Sequence, residues 1–208
     1  MANRWASNRT EAFSDGVFAI AITLLVLEIS VPESSFDDLW SGILHEWPSY
    51  LGFATSFLTI GAIWLAHHGI FARMQYVDTR IMRLNLVLLL AVSFLPFPTK
   101  LVSESIRDSE AARVAVIFYG GSLLAISTLL GALWAAVASN PRIMRPDVRE
   151  DEVRALLVAV TPNVGFYVAF LVLAIFAPRL AAFGFLAIAI LLVLRARGDA
   201  DLSPEPRE

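Results

Sequence analysis

The chain has 208 residues, of which 57% are hydrophobic and only 17% are charged, and its mean hydropathy is +0.67. Because a soluble domain carries about 25% charged residues, this composition excludes an ordinary soluble protein and indicates a protein that crosses a membrane several times. Cysteine is absent, which excludes disulfides, thiol chemistry and thiolate metal sites.

Hydrophobic segments long enough to cross a bilayer, which needs about 20 apolar residues, recur along the chain. The six predicted segments are Arg9–Val31, Trp47–Ala72, Asp78–Leu95, Val114–Ala138, Ala155–Ala177 and Leu180–Leu194. Pro96 and Pro98 are expected to end the third segment because proline cannot continue a helix. The predicted fold is all-α, with six transmembrane helices in one domain over residues 1–195. Residues 196–208 are rich in proline and charge and are expected to form a disordered tail.

Positive charge predicts the orientation of these segments. Twelve of the sixteen arginines and lysines fall at the two termini and in the second-to-third and fourth-to-fifth connections. By the positive-inside rule both termini are therefore expected to be cytoplasmic. The first outer connection, Pro32–Glu46, has four acidic residues and no arginine or lysine. It either concentrates cations at an outer mouth or is an ordinary solvated loop.

The first segment has one apolar face with a single hydroxyl. At about 100° per residue, Ile20, Thr23 and Leu27 fall within about 60° of one another, whereas Asp15 lies roughly 140° from Ile20. The apolar side is shared by Phe13, Gly16, Leu24 and Val31. Around a symmetry axis this face would form a narrow pore with a ring of threonines. Alternatively, the same residues pack in the core of a helical bundle.

Three stretches of the chain resemble a known family. They are Arg9-x-x-x-Phe13-Ser14-Asp15 in the first segment, Trp64-Leu-Ala-His67-His68 in the second, and Asn85-Leu86 with Leu95-Pro96-Phe97-Pro98-Thr99 in the third. The first stretch matches the RxxxFSD motif of the transmembrane protein 175 family, the lysosomal potassium channel and its prokaryotic relatives. The resemblance covers roughly Arg9–Leu101 with specific residues and the remainder only by hydropathy.

The resemblance implies a function and an assembly. It implies a homotetrameric leak channel of the prokaryotic plasma (inner) membrane that passes potassium in preference to sodium, with the first helix lining a central pore. It places Ile20, Thr23 and Leu27 at the constriction, with potassium bound transiently near Thr23. No cofactor or other metal is expected. The expected partners are further copies of the chain, membrane lipids and monovalent cations, without nucleic acid.

Polar residues on three segments are candidates for a network that fixes the first helix against the second and third. The candidates are Arg9, Phe13, Ser14, Asp15, Trp64, His67, His68 and Asn85. Adjacent helical residues point about 100° apart, so at most one histidine can easily face Asp15, and the sequence does not show which. A buried imidazole bonded to a carbonyl group is the simpler interpretation for the other.

Glu28, near the outer end of the first segment, either attracts cations or meets headgroups and water. A second functional hypothesis is a proton-linked secondary transporter or proton pathway that uses Asp15, His67 or His68, and Glu28. Paired repeats or broken helices would favour a transporter, and neither is visible. A third hypothesis is a membrane scaffold that transports nothing.

The sequence also lacks two kinds of motif. It lacks enzyme signatures such as GxSxG, HExxH and GxGxxG, so no enzyme is expected. It also lacks the TVGYG filter of ordinary potassium channels.

Overall fold

The computed structural model describes residues 5–140, 142–148 and 164–200, and these are almost entirely helical. The helices are α1 (Ser7–Leu24), α2 (Leu39–His45), α3 (Trp47–Ala72), α4 (Thr79–Phe94), α5 (Pro96–Ser105), α6 (Ser109–Ala138), α7 (Val164–Phe176) and α8 (Pro178–Ala200). Short 3-10 helices cover Leu25–Glu28 and Glu33–Asp38, and two-residue strands β1 (Trp5–Ala6) and β2 (Tyr76–Val77) pair antiparallel. The prediction of an all-α membrane protein is confirmed.

Four helical stretches of the described chain are long and apolar enough to cross a membrane. They are Ser7–Glu28, Trp47–Ala72, Thr79–Ser105 and Ser109–Ala138. Val164–Phe176 and Pro178–Leu194 are shorter apolar helices. The predicted fifth segment begins outside the described residues, so the total of six crossings stays a prediction.

The third membrane segment continues beyond the two prolines that were expected to end it. Helix α4 ends at Phe94, and α5 begins at Pro96 after a single residue, Leu95, whose backbone is itself helical. Proline is tolerated in the first turn of a helix because its missing N–H has no partner there. The prolines therefore start a second helix, and α4 and α5 together make one apolar stretch of 27 residues.

Two further boundaries differ from the prediction. Helix α6 begins at Ser109, earlier than the predicted Val114, because the Asp108 carboxylate caps it by accepting from the backbone N–H groups of Glu110 and Ala111. Helix α8 continues to Ala200, five residues into the tail that was expected to be disordered. Ala196 and Arg197 are good helix formers, whereas Gly198 and Asp199 are not, so helix propensity supports only the first part of this extension. Residues 201–208 lie outside the described part.

Backbone contacts gather three parts of the chain at one end of the bundle. Strands β1 and β2 join the N-terminal residues to the connection between α3 and α4. The backbone N–H of Gln75 donates to the Ile143 carbonyl over 2.8 Å, and that of Arg145 donates to the Arg73 carbonyl over 3.0 Å. The N-terminal strand, the α3–α4 connection and the connection after α6 therefore share one end, the grouping that the charge pattern predicts for the cytoplasmic side.

Arginine side chains tie the opposite end together. Arg179, at the start of α8, donates to the carbonyl oxygens of Ile106 and Arg107 over 3.0 and 2.8 Å. Arg107 in turn donates to the carbonyl of His45 at the end of α2. Because α8 starts at this end, its C-terminal half runs back toward the end that holds β1 and β2.

Helix α3 occupies the centre of the bundle, where it packs against α1, α5, α6 and α8. The largest fully buried side chains include Phe18, Phe71, Trp134 and Phe185 from four different helices. Burying side chains of this size removes much apolar surface from the surroundings and packs it at close to crystal density. One side of helix α1 packs into this core, and the opposite side is therefore exposed.

Candidate functional site

Helix α1 has a buried side and an exposed side. The buried residues are Ser7, Thr10, Ser14, Phe18, Ala21 and Leu25. Their spacing of three or four residues keeps them on one side of the helix. On the other side Phe13, Ile20 and Leu27 are 57%, 60% and 72% exposed, and Leu24 is 41% exposed. We call these four side chains, with the exposed Thr23, the α1 stripe.

The winding of the helix changes at the end of α1. The sequence predicted one α-helix through Val31, but residues Leu25–Glu28 form a 3-10 helix. In 3-10 geometry residues three apart lie one above the other. Leu27 therefore sits above Leu24 on the exposed side, while Glu28 sits above the buried Leu25. Nothing in the apolar pattern of the sequence indicated this tighter turn.

Thr23 presents oxygen lone pairs to the exposed side of α1. Its Oγ1 donates its hydrogen to the Ile20 carbonyl over 2.9 Å. A hydroxyl has one donor and two acceptor sites, so this contact uses the hydrogen and leaves the lone pairs available. Thr23 can therefore act as an acceptor for a cation that reaches the stripe.

Behind the stripe, three fully buried side chains from α1, α4 and α3 form a hydrogen-bonded chain. The Asn85 side-chain Nδ2 donates to Ser14 Oγ over 2.9 Å, and Ser14 Oγ donates to the Thr10 carbonyl over 2.8 Å. The Asn85 Oδ1 lies 2.8 Å from His67 Nε2. Because Oδ1 can only accept, His67 carries its proton on Nε2. The His67 ring stacks on Phe71, with the centroids 4.4 Å apart.

Asp15 pairs with tryptophan, and neither histidine hydrogen-bonds to it. The Trp64 Nε1 donates to Asp15 Oδ1 over 2.8 Å, and His68 Nδ1 lies 3.0 Å from Glu11 Oε1. These two contacts are one turn apart on both helices, as expected where α1 and α3 run antiparallel. The sequence analysis left open which histidine faces Asp15, and in the structure Asp15 instead accepts a hydrogen bond from Trp64, another residue of the expected network. His67 turns into the core toward Asn85, and His68 lies about 100° around the helix.

Two residues of the RxxxFSD motif lie outside these contacts. Arg9 is exposed, and it has no ion pair with any residue in the described part of the chain. Phe13 lies on the exposed stripe with Ile20. Glu11, which the sequence analysis did not select, contacts His68 of α3. Its position four residues before Asp15 was the available signal, because residues i and i+4 share a helix face.

Glu28 has a partner that the sequence analysis missed. Lys100 Nζ, on α5, lies 3.0 Å from Glu28 Oε2. The two residues are 72 positions apart, so no local pattern links them, although Lys100 is the only lysine in the chain. Within residues 5–140, 142–148 and 164–200, no group of three histidine, aspartate or glutamate residues could hold a metal ion.

The chain is similar to known ion channels. Residues 9–96 match the family described as the endosomal/lysosomal potassium channel TMEM175. A potassium channel of Streptomyces collinus is 40% identical over 157 residues, which are 73% of this chain and 76% of that protein. The endosomal/lysosomal proton channel TMEM175 of Danio rerio is 38% identical over 144 residues, 62% of this chain and 28% of that protein.

A solved structure is similar over nearly the whole chain. It is the crystal structure of a lysosomal potassium-selective channel TMEM175 homolog from Chamaesiphon minutus. It superposes with a TM-score of 0.83 at 39% identity and covers 91% of this chain and 97% of the other. The family match over residues 9–96 spans most of α1 and all of α3 and α4, which hold the stripe and the polar contacts behind it. The chain belongs to the TMEM175 family.

Proposed function

We propose that the chain is the subunit of a potassium-selective leak channel that passes potassium in preference to sodium. The observation that carries the proposal is the division of α1 into an exposed apolar stripe and an opposite side that is buried and hydrogen-bonded. The relative from Streptomyces collinus is named a potassium channel, and the structural relative from Chamaesiphon minutus is described as potassium-selective. These names support the same function for a chain of this family.

The proposed pore requires several copies of the chain. Each chain contributes one α1 stripe, and one helix cannot surround an ion path. Closed rotational symmetry would bring the stripes together on an axis, and family resemblance favours four copies. We place the assembly in the prokaryotic plasma membrane with both termini cytoplasmic, because the end that holds β1 and β2 is also the arginine-rich end.

Partial dehydration explains how an apolar constriction would favour potassium. Rings of Ile20 and Leu27 would offer no ligand to an ion, so an ion must shed part of its water to pass. Potassium sheds water more easily than sodium because it is larger and holds its water less strongly. The free lone pairs of Thr23 would replace part of the lost shell. The permeant potassium ion is then the only ligand that the channel needs.

A proton pathway is the second candidate, because the relative from Danio rerio is named a proton channel. The proposed relay groups are Asp15, His67 or His68, and Glu28. Their contacts weaken the relay, since Asp15 is bonded to the indole N–H of Trp64, which donates but cannot accept a proton. Glu28 is paired with Lys100 near the end of the bundle that holds the α5–α6 connection.

Reconstitution into liposomes tests the proposal. We expect potassium efflux that dissipates an imposed potassium gradient, slower sodium flux and no requirement for a proton gradient, with protein-free liposomes as the control. Native mass measurement in mild detergent should show four chains in the conducting species. Saturable flux that depends on a proton gradient would favour the second candidate, and the absence of any flux would favour a scaffold.

A further inference from the structure

The end of the α1 stripe is fastened to α5 by one ion pair. Glu28 is the last residue of the 3-10 helix that follows α1, and Lys100 lies on α5. Lys100 Nζ and Glu28 Oε2 are 3.0 Å apart, with side-chain exposures of 48% and 25%. This contact links Glu28, next to the most exposed residue of the stripe, Leu27, to a different helix of the bundle.

The geometry of the 3-10 helix makes the orientation of Leu27 depend on this ion pair. Successive residues of a 3-10 helix are about 120° apart, and residues i and i+3 are eclipsed. Leu25, which is 1% exposed, and Glu28 therefore hold the same side of the turn against the bundle. Leu27 points about 120° away from Glu28. If Glu28 is released, the last residue of the turn loses its ion pair with α5, and the buried Leu25 remains as the anchor on that side.

The pair also determines the charge at this end of the stripe. An unpaired Glu28 in every copy would place a ring of carboxylates beside Leu27 and attract cations. Lys100 neutralises each of them. Fixed charges of this kind act over a Debye length of about 30 Å at 0.01 M salt and about 3 Å at 1 M salt. Their influence on ion entry is therefore large only in dilute salt.

We propose that Lys100 is a positioning residue of the channel: by holding Glu28 on α5 it fixes the orientation of Leu27 and neutralises the outer mouth. The inference rests on the proposed function, because it takes Leu27 to be part of the ion path. Lys100 itself touches no ion. Lys100 has two effects, one on the position of Leu27 and one on the charge of Glu28, and different variants can measure each of them.

Three variants separate the two effects. Lys100→Gln releases Glu28 and leaves its charge, whereas Glu28→Gln removes the contact and the charge together, and the third variant combines both changes. We expect all three to lower potassium-over-sodium selectivity by at most about fivefold, the factor that corresponds to the largest usual contribution of an exposed ion pair. Only Lys100→Gln should also raise conductance in about 0.01 M salt, and this increase should vanish in about 1 M salt.

Controls distinguish the pair from a general effect of charge. Lys100→Arg keeps a cation in reach of Glu28 and should restore the selectivity of the original channel. Arg113→Gln removes one positive charge from an exposed position near the start of α6 and should change neither quantity. If Lys100→Gln raises dilute-salt conductance equally with and without Glu28→Gln, Lys100 does not act through Glu28 and the inference is wrong. Unchanged selectivity in all three variants would also overturn it.

A second measurement tests the contact without any ion flux. Since Lys100 is the only lysine, ¹³C-methylation of the amines gives one side-chain signal for the intact protein in detergent, besides that of the N-terminus. Glu28→Gln should shift this signal, while Glu33→Gln should leave it in place. If Glu28→Gln leaves the chemical shift of this signal unchanged, the ion pair is not formed and the inference is wrong. A shifted signal in a protein that conducts no potassium instead contradicts the proposed function.

Discussion

Trp64 on α3 donates its indole N–H to the carboxylate of Asp15 on α1 over 2.8 Å, on a side of α1 away from Ile20 and Leu27. One turn along both helices, His68 and Glu11 repeat the arrangement at 3.0 Å. Asp15, a residue of the RxxxFSD motif, therefore binds α1 to α3 on one side of α1, while the α1 stripe on the other side takes no part in this contact. Substitutions on the two sides should fail in different ways.

Replacing Asp15 by alanine should weaken assembly before it alters selectivity. The Trp64 N–H would lose its acceptor, and a partly exposed hydrogen bond to a charged group is worth on the order of 1–2 kcal/mol. Size-exclusion chromatography should show less of the proposed tetramer, and the assemblies that form should keep the original reversal potential. Trp64→Phe keeps an aromatic ring, although a smaller one, and removes the donor, so it should match Asp15→Ala, and the double variant should be no worse than either. A larger, additive loss in the double variant would show that the two side chains act separately.

Replacing Asn85 by leucine should destabilise the fold. Leucine has a similar volume but leaves the buried Nε2–H of His67 and the Ser14 hydroxyl without the Asn85 amide. A buried donor without a partner costs about 1–3 kcal/mol, which thermal unfolding in detergent can detect. Ser93→Ala is the matched control on the same helix, because the Ser93 hydroxyl is exposed and, among the residues that the structure describes, donates only to the Leu90 carbonyl. Equal stabilities of the two variants would show that the Ser14–Asn85–His67 chain contributes nothing.

Replacing Thr23 by valine should weaken the preference for potassium without widening the constriction. Valine has nearly the same shape as threonine but no oxygen, so it removes the lone pairs that the contact with the Ile20 carbonyl leaves free. Reversal potentials in mixed potassium and sodium should shift toward lower selectivity. Thr23→Ser retains the hydroxyl and should stay closer to the original. The reverse order of these two variants would exclude the hydroxyl as a ligand.

Single cysteines can test the orientation, because the chain has none of its own. Ser34→Cys lies in the 3-10 helix Glu33–Asp38, and Thr79→Cys lies at the start of α4, close to β2. Both positions are exposed. An impermeant maleimide added outside the cell should label position 34 and reach position 79 only after permeabilisation. Labelling of position 79 in intact cells would reverse the proposed orientation.

The sequence predicted the two sides of α1 because the period of 3.6 residues separates Asp15 from Ile20 without any knowledge of neighbouring helices. It could not predict the partner of Asp15. Trp64, His67 and His68 lie within five positions of one another, and the choice among them depends on the rotation and axial offset of α3 against α1. Those quantities are set by packing in the core, as with Phe18 beside the His67 ring.

Two other features were beyond sequence reasoning for related reasons. The boundary between α4 and α5 at Leu95 is one. Pro96 and Pro98 are compatible both with the end of a membrane helix and with the first turn of a new helix, so the sequence alone did not decide between them. The pair between Glu28 and Lys100 joins residues 72 positions apart. Long-range contacts of this kind leave no periodic signal, so each residue alone was visible only as an isolated charge.

Reversal potentials of three asparagine variants test most directly whether the α1 stripe lines the ion path. Ile20→Asn and Leu27→Asn place a hydrated side chain in the proposed constriction, and Leu90→Asn makes the same change at an α4 position that is 70% exposed. In potassium and sodium gradients across liposomes, the first two should keep or increase current and lose selectivity for potassium. Leu90→Asn should keep the original reversal potential. Unchanged selectivity in Ile20→Asn and Leu27→Asn, with intact tetramers and current, would show that the ion path lies elsewhere.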